Sequence, residues 1–190
     1  MRSGAAHWGG YHLRSRESKS RGALGFSLYI LLVIIAAIAI RHFIVERVVV
    51  VGESMEPTLI NGDNVLMEKL SYIAGKPKRY DIVVFPRDGA LLIKRVYGLP
   101  GENIRIDESG MIYINGEPLD DRHAHEIMDN PGLAGGDGVT LDKGEYFVLG
   151  DNRNNSVDSR YEMVGAVSKK DIRGRVVWRL TPFDRLGKIK

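Results

Sequence analysis

The chain of 190 residues contains no cysteine. That absence excludes disulfides, a cysteine nucleophile and thiolate metal sites together. Histidine is scarce as well, five in all, and scattered. His7 and His12 lie near the N-terminus and His42 follows a long apolar run. His123 and His125 sit in a polar stretch, where solvated surface positions are expected of them. No ligand set for a metal can be assembled from these residues, so neither a metal nor a cofactor is expected. No internal repeat is present. The hydrophobic share of 44% and the charged share of 27% fit a folded domain rather than a disordered or fibrous chain.

A basic folded surface is also missing, although the formal charge is +3. Residues 1–22 hold 5 Lys/Arg against 1 acidic residue, residues 23–40 hold no charge, and residues 41–190 hold 22 basic against 23 acidic. The basicity belongs to the N-terminal tail, so no nucleic-acid footprint is expected on the domain.

The uncharged run Ala23–Ile40 is 18 residues long. As a helix it would span about 27 Å, close to the hydrocarbon thickness of a bilayer. Apolar residues occupy all sides of it, which excludes an amphipathic surface helix. Arg14, Arg16, Lys19 and Arg21 crowd its N-terminal side. The positive-inside rule then places residues 1–22 in the cytoplasm as a basic tail, residues 23–45 as a single-pass membrane anchor and residues 46–190 on the extracytoplasmic side. A cleavable leader is the rival reading, since Ala37-Ile38-Ala39 has the A-x-A form. The run exceeds the usual 7–15 apolar residues of a leader, and no helix breaker precedes the alanines, which favours a retained anchor.

The remainder has the punctuation of a β protein. Strands are expected at Glu46–Val51, Asn64–Met67, Asp81–Phe85 (ended by Pro86), Ala90–Tyr97, Asn103–Ile106, Met111–Ile114, Glu117–Leu119, Glu145–Leu149 and Gly174–Leu180. Asn115-Gly116 offers a type I′ hairpin turn. Asp120–Asp142 is polar and Gly-rich and reads as a long surface excursion. The expected class is therefore mainly β: one N-terminal transmembrane helix followed by an extracytoplasmic β-sheet or β-barrel-like domain.

Three segments stand out. The first is Gly52-Glu53-Ser54-Met55-Glu56-Pro57-Thr58-Leu59, the second Lys94-Arg95-Val96-Tyr97-Gly98-Leu99-Pro100-Gly101, the third Gly150–Arg160. Ser54 follows an apolar strand at a strand-to-loop corner. Lys94 lies within an apolar strand, and alternation sends Lys94 and Arg95 to opposite faces, so one of the two must face the core. Burial disfavours an ammonium. At an ordinary pKa of about 10.4 only about 0.4% of lysine is neutral at pH 8, whereas a drop of about 2–3 units makes it an effective base. A serine without a companion histidine, together with a desolvated lysine, is the raw material of a Ser–Lys dyad. A lone turn serine and a lone strand lysine are also common as structural residues, so residue types alone leave both readings open.

Taken together, the three segments and the anchor resemble the type I signal peptidase family, in its short bacterial form with one membrane span. The resemblance covers about residues 48–178 and implies a membrane-bound serine endopeptidase that removes signal peptides from secretory preproteins after small residues (A-x-A). It implies Ser54 as nucleophile and Lys94 as general base. Ser156 would hydrogen-bond the lysine amine, and Asp158 and Arg160 would support Ser156. Arg95 would pair with Asp151, and the backbone at Ser54 and Gly52 would form the oxyanion hole. Its partners would be preproteins and the lipid bilayer, with no nucleic acid and no metal. Small apolar specificity pockets are expected along Val48–Gly52 and Ile82–Ile93. Three positions depart from the family pattern: Gly52 where some members carry an oxyanion serine, Leu92 where tyrosine is frequent, and Tyr97 where an aliphatic residue is usual. A self-cleaving repressor peptidase would share the dyad but would need a DNA-binding domain that residues 1–22 cannot form. A catalytically inactive, membrane-tethered β module that binds peptides is the alternative from another class.

Overall fold

The structure is a computed structural model that describes residues 14–189. The residues divide into two units, 1–42 and 43–190. In the first, α1 (Arg14–Phe43) is one helix of 30 residues, and every side chain described on it, Leu24 to Ile38, is exposed. Among the described residues no helix is long and apolar enough to cross a membrane. The side chains of residues 23 and 39–43 in the expected anchor at 23–45, and the whole tail up to residue 13 with His7 and His12, lie outside what is described.

The second unit is built of antiparallel strands, in keeping with the mainly β expectation. In chain order they are β1 (Val45–Val49), β2 (Asn64–Glu68), the short helix α2 (Leu70–Ala74), β3 (Ile82–Arg87), β4 (Ala90–Gly98), β5 (Asn103–Ile106), β6 (Ile112–Ile114), β7 (Glu117–Pro118), β8 (Val139–Thr140), β9 (Glu145–Leu149), β10 (Val167–Ser168), β11 (Gly174–Thr181) and β12 (Gly187–Lys188). One sheet runs β1-β2-β11-β3-β4-β9-β10, with β12 on β11, and a smaller sheet runs β7-β6-β5-β8.

Local chemistry accounts for most boundaries. Asn115 and Gly116 have φ of 50° and 86°, which makes the expected type I′ turn between β6 and β7. Pro86 does not end β3. It pairs with Leu91, and the strand turns instead at Asp88-Gly89. The proline is tolerated because β11 bonds β3 only at Val83 and Val84, so the missing N–H faces no ladder partner there. The short strands β8, β10 and β12 and the helix α2 carry no periodic signal in the sequence.

The excursion 120–142 is not merely a surface feature. Met128, Ala134 and Leu141 are buried in one cluster with Ile104, Ile106, Ile112 and Phe147, and Val139–Thr140 pairs with β5. Apolar anchors spaced several residues apart in a polar stretch give no period, which is why the sequence hides them.

Candidate active site

Ser54 stands where the β1 chain turns away from its sheet. Gly52 makes the corner with φ of +93°, a conformation L side chains rarely adopt. A single helical turn follows, closed by Leu59 N–H to the Met55 carbonyl at 2.8 Å. Met55 and Leu59 are buried in the core beside Val48, Val50 and Val65. Hydrogen bonds from Val50 N–H to Asp63 O and from Gly62 N–H to Val50 O close the loop's base, both at 2.9 Å. The nucleophile corner is thus held by burial at one side and by backbone at its foot.

Lys94 approaches from β4. Its Nζ lies 2.5 Å from Ser54 Oγ. One of Lys94 and Arg95 was expected to face the core; the structure buries both, at 3% and 0% exposure. Burial lowers the Lys94 pKa to about 8, with Arg160 adding to the drop and Asp158 and Asp151 opposing it. Asp151 clasps Arg95 with two bonds, Nε to Oδ1 at 2.8 Å and NH2 to Oδ2 at 2.7 Å, both partners fully buried.

The third segment backs the dyad. Asn152 N–H donates to the Ser54 carbonyl at 3.1 Å, and Asn155 Nδ2 to Glu53 Oε2 at 2.9 Å. Gly150 is wedged so closely that a Cβ there would lie 2.3 Å from Ser156 Oγ and 2.4 Å from the Ser54 carbonyl oxygen. Ser156 therefore sits against the nucleophile corner, but its hydroxyl donates to Asp158 Oδ2 at 2.7 Å and makes no hydrogen bond to Lys94. Asp158, fully buried, also accepts from Gly150 N–H and from Arg160 Nε at 3.0 and 2.8 Å.

The two backbone amides expected at the oxyanion hole stand differently in the structure. The Gly52 N–H donates to Asn61 Oδ1 at 3.1 Å and is committed there. The Ser54 N–H has no protein partner among the described residues and remains free to donate. The +93° corner also gives a backbone reason for glycine at position 52. His123 is half-buried against the Tyr80 ring, centroids 5.0 Å apart, and burial lowers its pKa; it is not the solvated residue expected. His125 is exposed.

Beside the dyad lies a cleft of about 520 Å³ between residues 46–52 and Ala90–Lys94, with Met55 at its end. Four successive antiparallel pairings separate β1 from β4, so the two run parallel. β1 is the last strand of its sheet, and β9 covers β4 only from Arg95 onward. Two uncovered strand edges thus face one cleft, each with unpaired backbone groups to offer an extended peptide. The expected pocket segment Ile82–Ile93 contributes only from Ala90, because Ile82–Phe85 are core.

Residues 24–181 match the family described as signal peptidase, peptidase S26. The chain belongs to this family. A probable signal peptidase I-2 of Synechocystis is 40% identical over 162 residues, covering 81% of this chain and 71% of that protein. The signal peptidase I S of Bacillus subtilis is 35% identical, over 90% of this chain and 96% of its own length. A crystal structure of a signal peptidase I from Enterococcus faecalis V583, 32% identical, covers 53% of this chain and 96% of the solved one with a TM-score of 0.42.

Within this signal peptidase, sequence reasoning missed three site-adjacent residues. Arg153, Tyr97 and Asp121 form a buried cluster on the far face of β4. Arg153 and Tyr97 lay within the segments singled out, so a second buried Arg in the third segment was available as a signal. Asp121 had none, because nothing in a polar excursion marks one carboxylate as the partner of a buried arginine.

Proposed function

We propose that the chain removes N-terminal signal peptides from secretory preproteins, with Ser54 as nucleophile and Lys94 as general base. The observation that carries the mechanism is the 2.5 Å approach of a buried lysine to Ser54 at the end of a cleft with two open strand edges. A preprotein lies extended between β1 and β4 and presents its scissile carbonyl to Ser54. Neutral Lys94 takes the Ser54 proton as Oγ bonds to the carbonyl carbon. The Ser54 N–H steadies the oxyanion, a donor of a kind typically worth about 2.7–4 kcal/mol. The protonated Lys94 then gives its proton to the departing amine as the C–N bond breaks. Water, losing a proton to Lys94, attacks the ester and releases the signal peptide. Its proton returns to Ser54. Small residues before the cut fit the shallow walls that Val48–Gly52 and Ala90–Ile93 supply.

The apolar run anchors the enzyme. Residues 23–45 span the bilayer with residues 1–22 in the cytoplasm and residues 46–190 outside, as the charge asymmetry supports. Tethering raises the effective concentration of the dyad at the membrane surface, where preproteins emerge. The test is cleavage of a preprotein in detergent by wild type and Ser54→Ala, with N-terminal sequencing of the product. A cut after an A-x-A site that disappears with Ser54 is expected. Binding without any cut would instead identify a peptide-binding module.

A further inference from the structure

The face of β4 opposite Lys94 carries a second polar cluster that the dyad chemistry does not use. Tyr97 packs in one cluster with Leu149, the cross-strand partner of Arg95, and so lies on the same side as Arg95. Tyr97 is fully buried, and its hydroxyl donates to Asp121 Oδ1 at 2.7 Å. The same hydroxyl accepts from Arg153 NH2 at 2.7 Å, and that nitrogen lies 2.5 Å from Asp121 Oδ2. The guanidinium also rests 4.8 Å from the Tyr97 ring centroid. The three side chains close a triangle whose corners come from β4, the third segment and the excursion.

The triangle reaches the dyad through one bond. Arg153 Nε donates to the Gly150 carbonyl at 3.0 Å. Gly150 is the residue wedged against both Ser156 Oγ and the Ser54 carbonyl, and its own N–H is held by Asp158 at 3.0 Å. Arg153 is only 2% exposed, and Asp121 is its sole carboxylate contact among the described residues. A buried guanidinium without that partner would be strongly destabilised. Burial works against the Asp121 charge, yet Arg153 and the Tyr97 hydroxyl hold its carboxyl below the usual range.

We infer that Tyr97 and Asp121 are positioning residues, which through Arg153 seat Gly150 behind Ser54 and so keep the serine within reach of Lys94. The inference rests on the Ser–Lys peptidase reading above. It gives the excursion a role: the same loop binds the third segment again where Asn154 N–H donates to Glu126 and Arg160 NH1 to the Asn130 carbonyl, at 3.0 and 3.1 Å. Tyr97, a departure from the family pattern, is thereby a substitution this chain uses.

Tyr97→Phe keeps the ring and the guanidinium stack and removes one hydroxyl. In the full-length enzyme acting on a preprotein, kcat falls about tenfold while KM stays within about twofold, as expected when attack geometry loosens. The rising limb of the pH–rate profile moves alkaline by about half a unit or more, because water reaches Lys94 while Asp158, Arg160 and Asp151 around it are unchanged. Asp121→Asn moves both readouts the same way, and if that variant does not fold, Tyr97→Phe decides. Tyr113→Phe, which removes a hydroxyl bonded to Asp107 on β6, keeps wild-type kcat. A folded Tyr97→Phe enzyme with kcat within about twofold of wild type and an unmoved profile overturns the inference, even if its melting temperature drops. Wild type that fails to cut, or a Ser54→Ala variant that still cuts, removes the peptidase reading and this inference with it.

Discussion

In the proposed mechanism Lys94 is the residue on which the chemistry turns, and its burial makes two measurable claims. With a pKa near 8, half of the lysine is neutral at about pH 8 and roughly a tenth at pH 7. The profile of kcat/KM therefore rises about tenfold per pH unit below 8 and levels above it. A limb near pH 6 would indicate a histidine base instead. The second claim concerns stability. In the unfolded chain Lys94 regains its ordinary pKa of 10.5, so between about 8 and 10.5 the unfolded state holds the extra proton and stability rises with pH. Below 8 both states are protonated and the full penalty of burying the ammonium applies, about 3 kcal/mol. Lys94→Met should therefore be more stable than wild type at pH 7, with the gap narrowing by about 3 kcal/mol by pH 10.5. Denaturant unfolding of both proteins at the two pH values checks this; a gap independent of pH would mean that the lysine is not desolvated.

Among the elements, the third segment matters by where it seats rather than by what it contributes to reaction. Gly150→Ala places a methyl 2.4 Å from the Ser54 carbonyl oxygen, a backbone atom that cannot rotate aside. The segment must lift from the nucleophile corner. Cleavage should fall by about a hundredfold or more, the scale of a 1 Å misplacement, with a modest loss of melting temperature. Activity near wild type would show that the corner tolerates a loose backing. The strands β5 and β9 were legible to the residue, because turn chemistry at Gly101, Gly110 and Gly144 brackets clean apolar runs. β3 was read short because its proline signal was overridden by an uncovered edge. The excursion was read as surface because its buried residues follow no period.

At the scale of the whole molecule, the proposed anchor and the domain divide the labour. The domain carries its own cores and both Ser54 and Lys94 within residues 43–190. Removing residues 1–43 should leave hydrolysis of a soluble peptide within about threefold, while cleavage of a preprotein embedded in vesicles drops by about tenfold or more as the tether's effective concentration is lost. Equal losses on both substrates would assign the helix a structural role in the domain.

The amino-acid sequence by itself determined the β class and the apolar run with its charge asymmetry, while the resemblance of three short segments to a family singled out Ser54, Lys94, Arg95, Asp151, Ser156, Asp158 and Arg160 as candidates. These are local signals: period, turn chemistry and short residue runs. Only the tertiary structure decided that Lys94 reaches Ser54, that Ser156 serves Asp158 rather than the lysine, that the Gly52 amide is committed to Asn61, and that Asp121 returns from a distant loop to brace Arg153. Each of those depends on residues far apart in the chain meeting in a dry interior. There, burial sets a lysine's pKa, and one buried guanidinium requires one particular carboxylate.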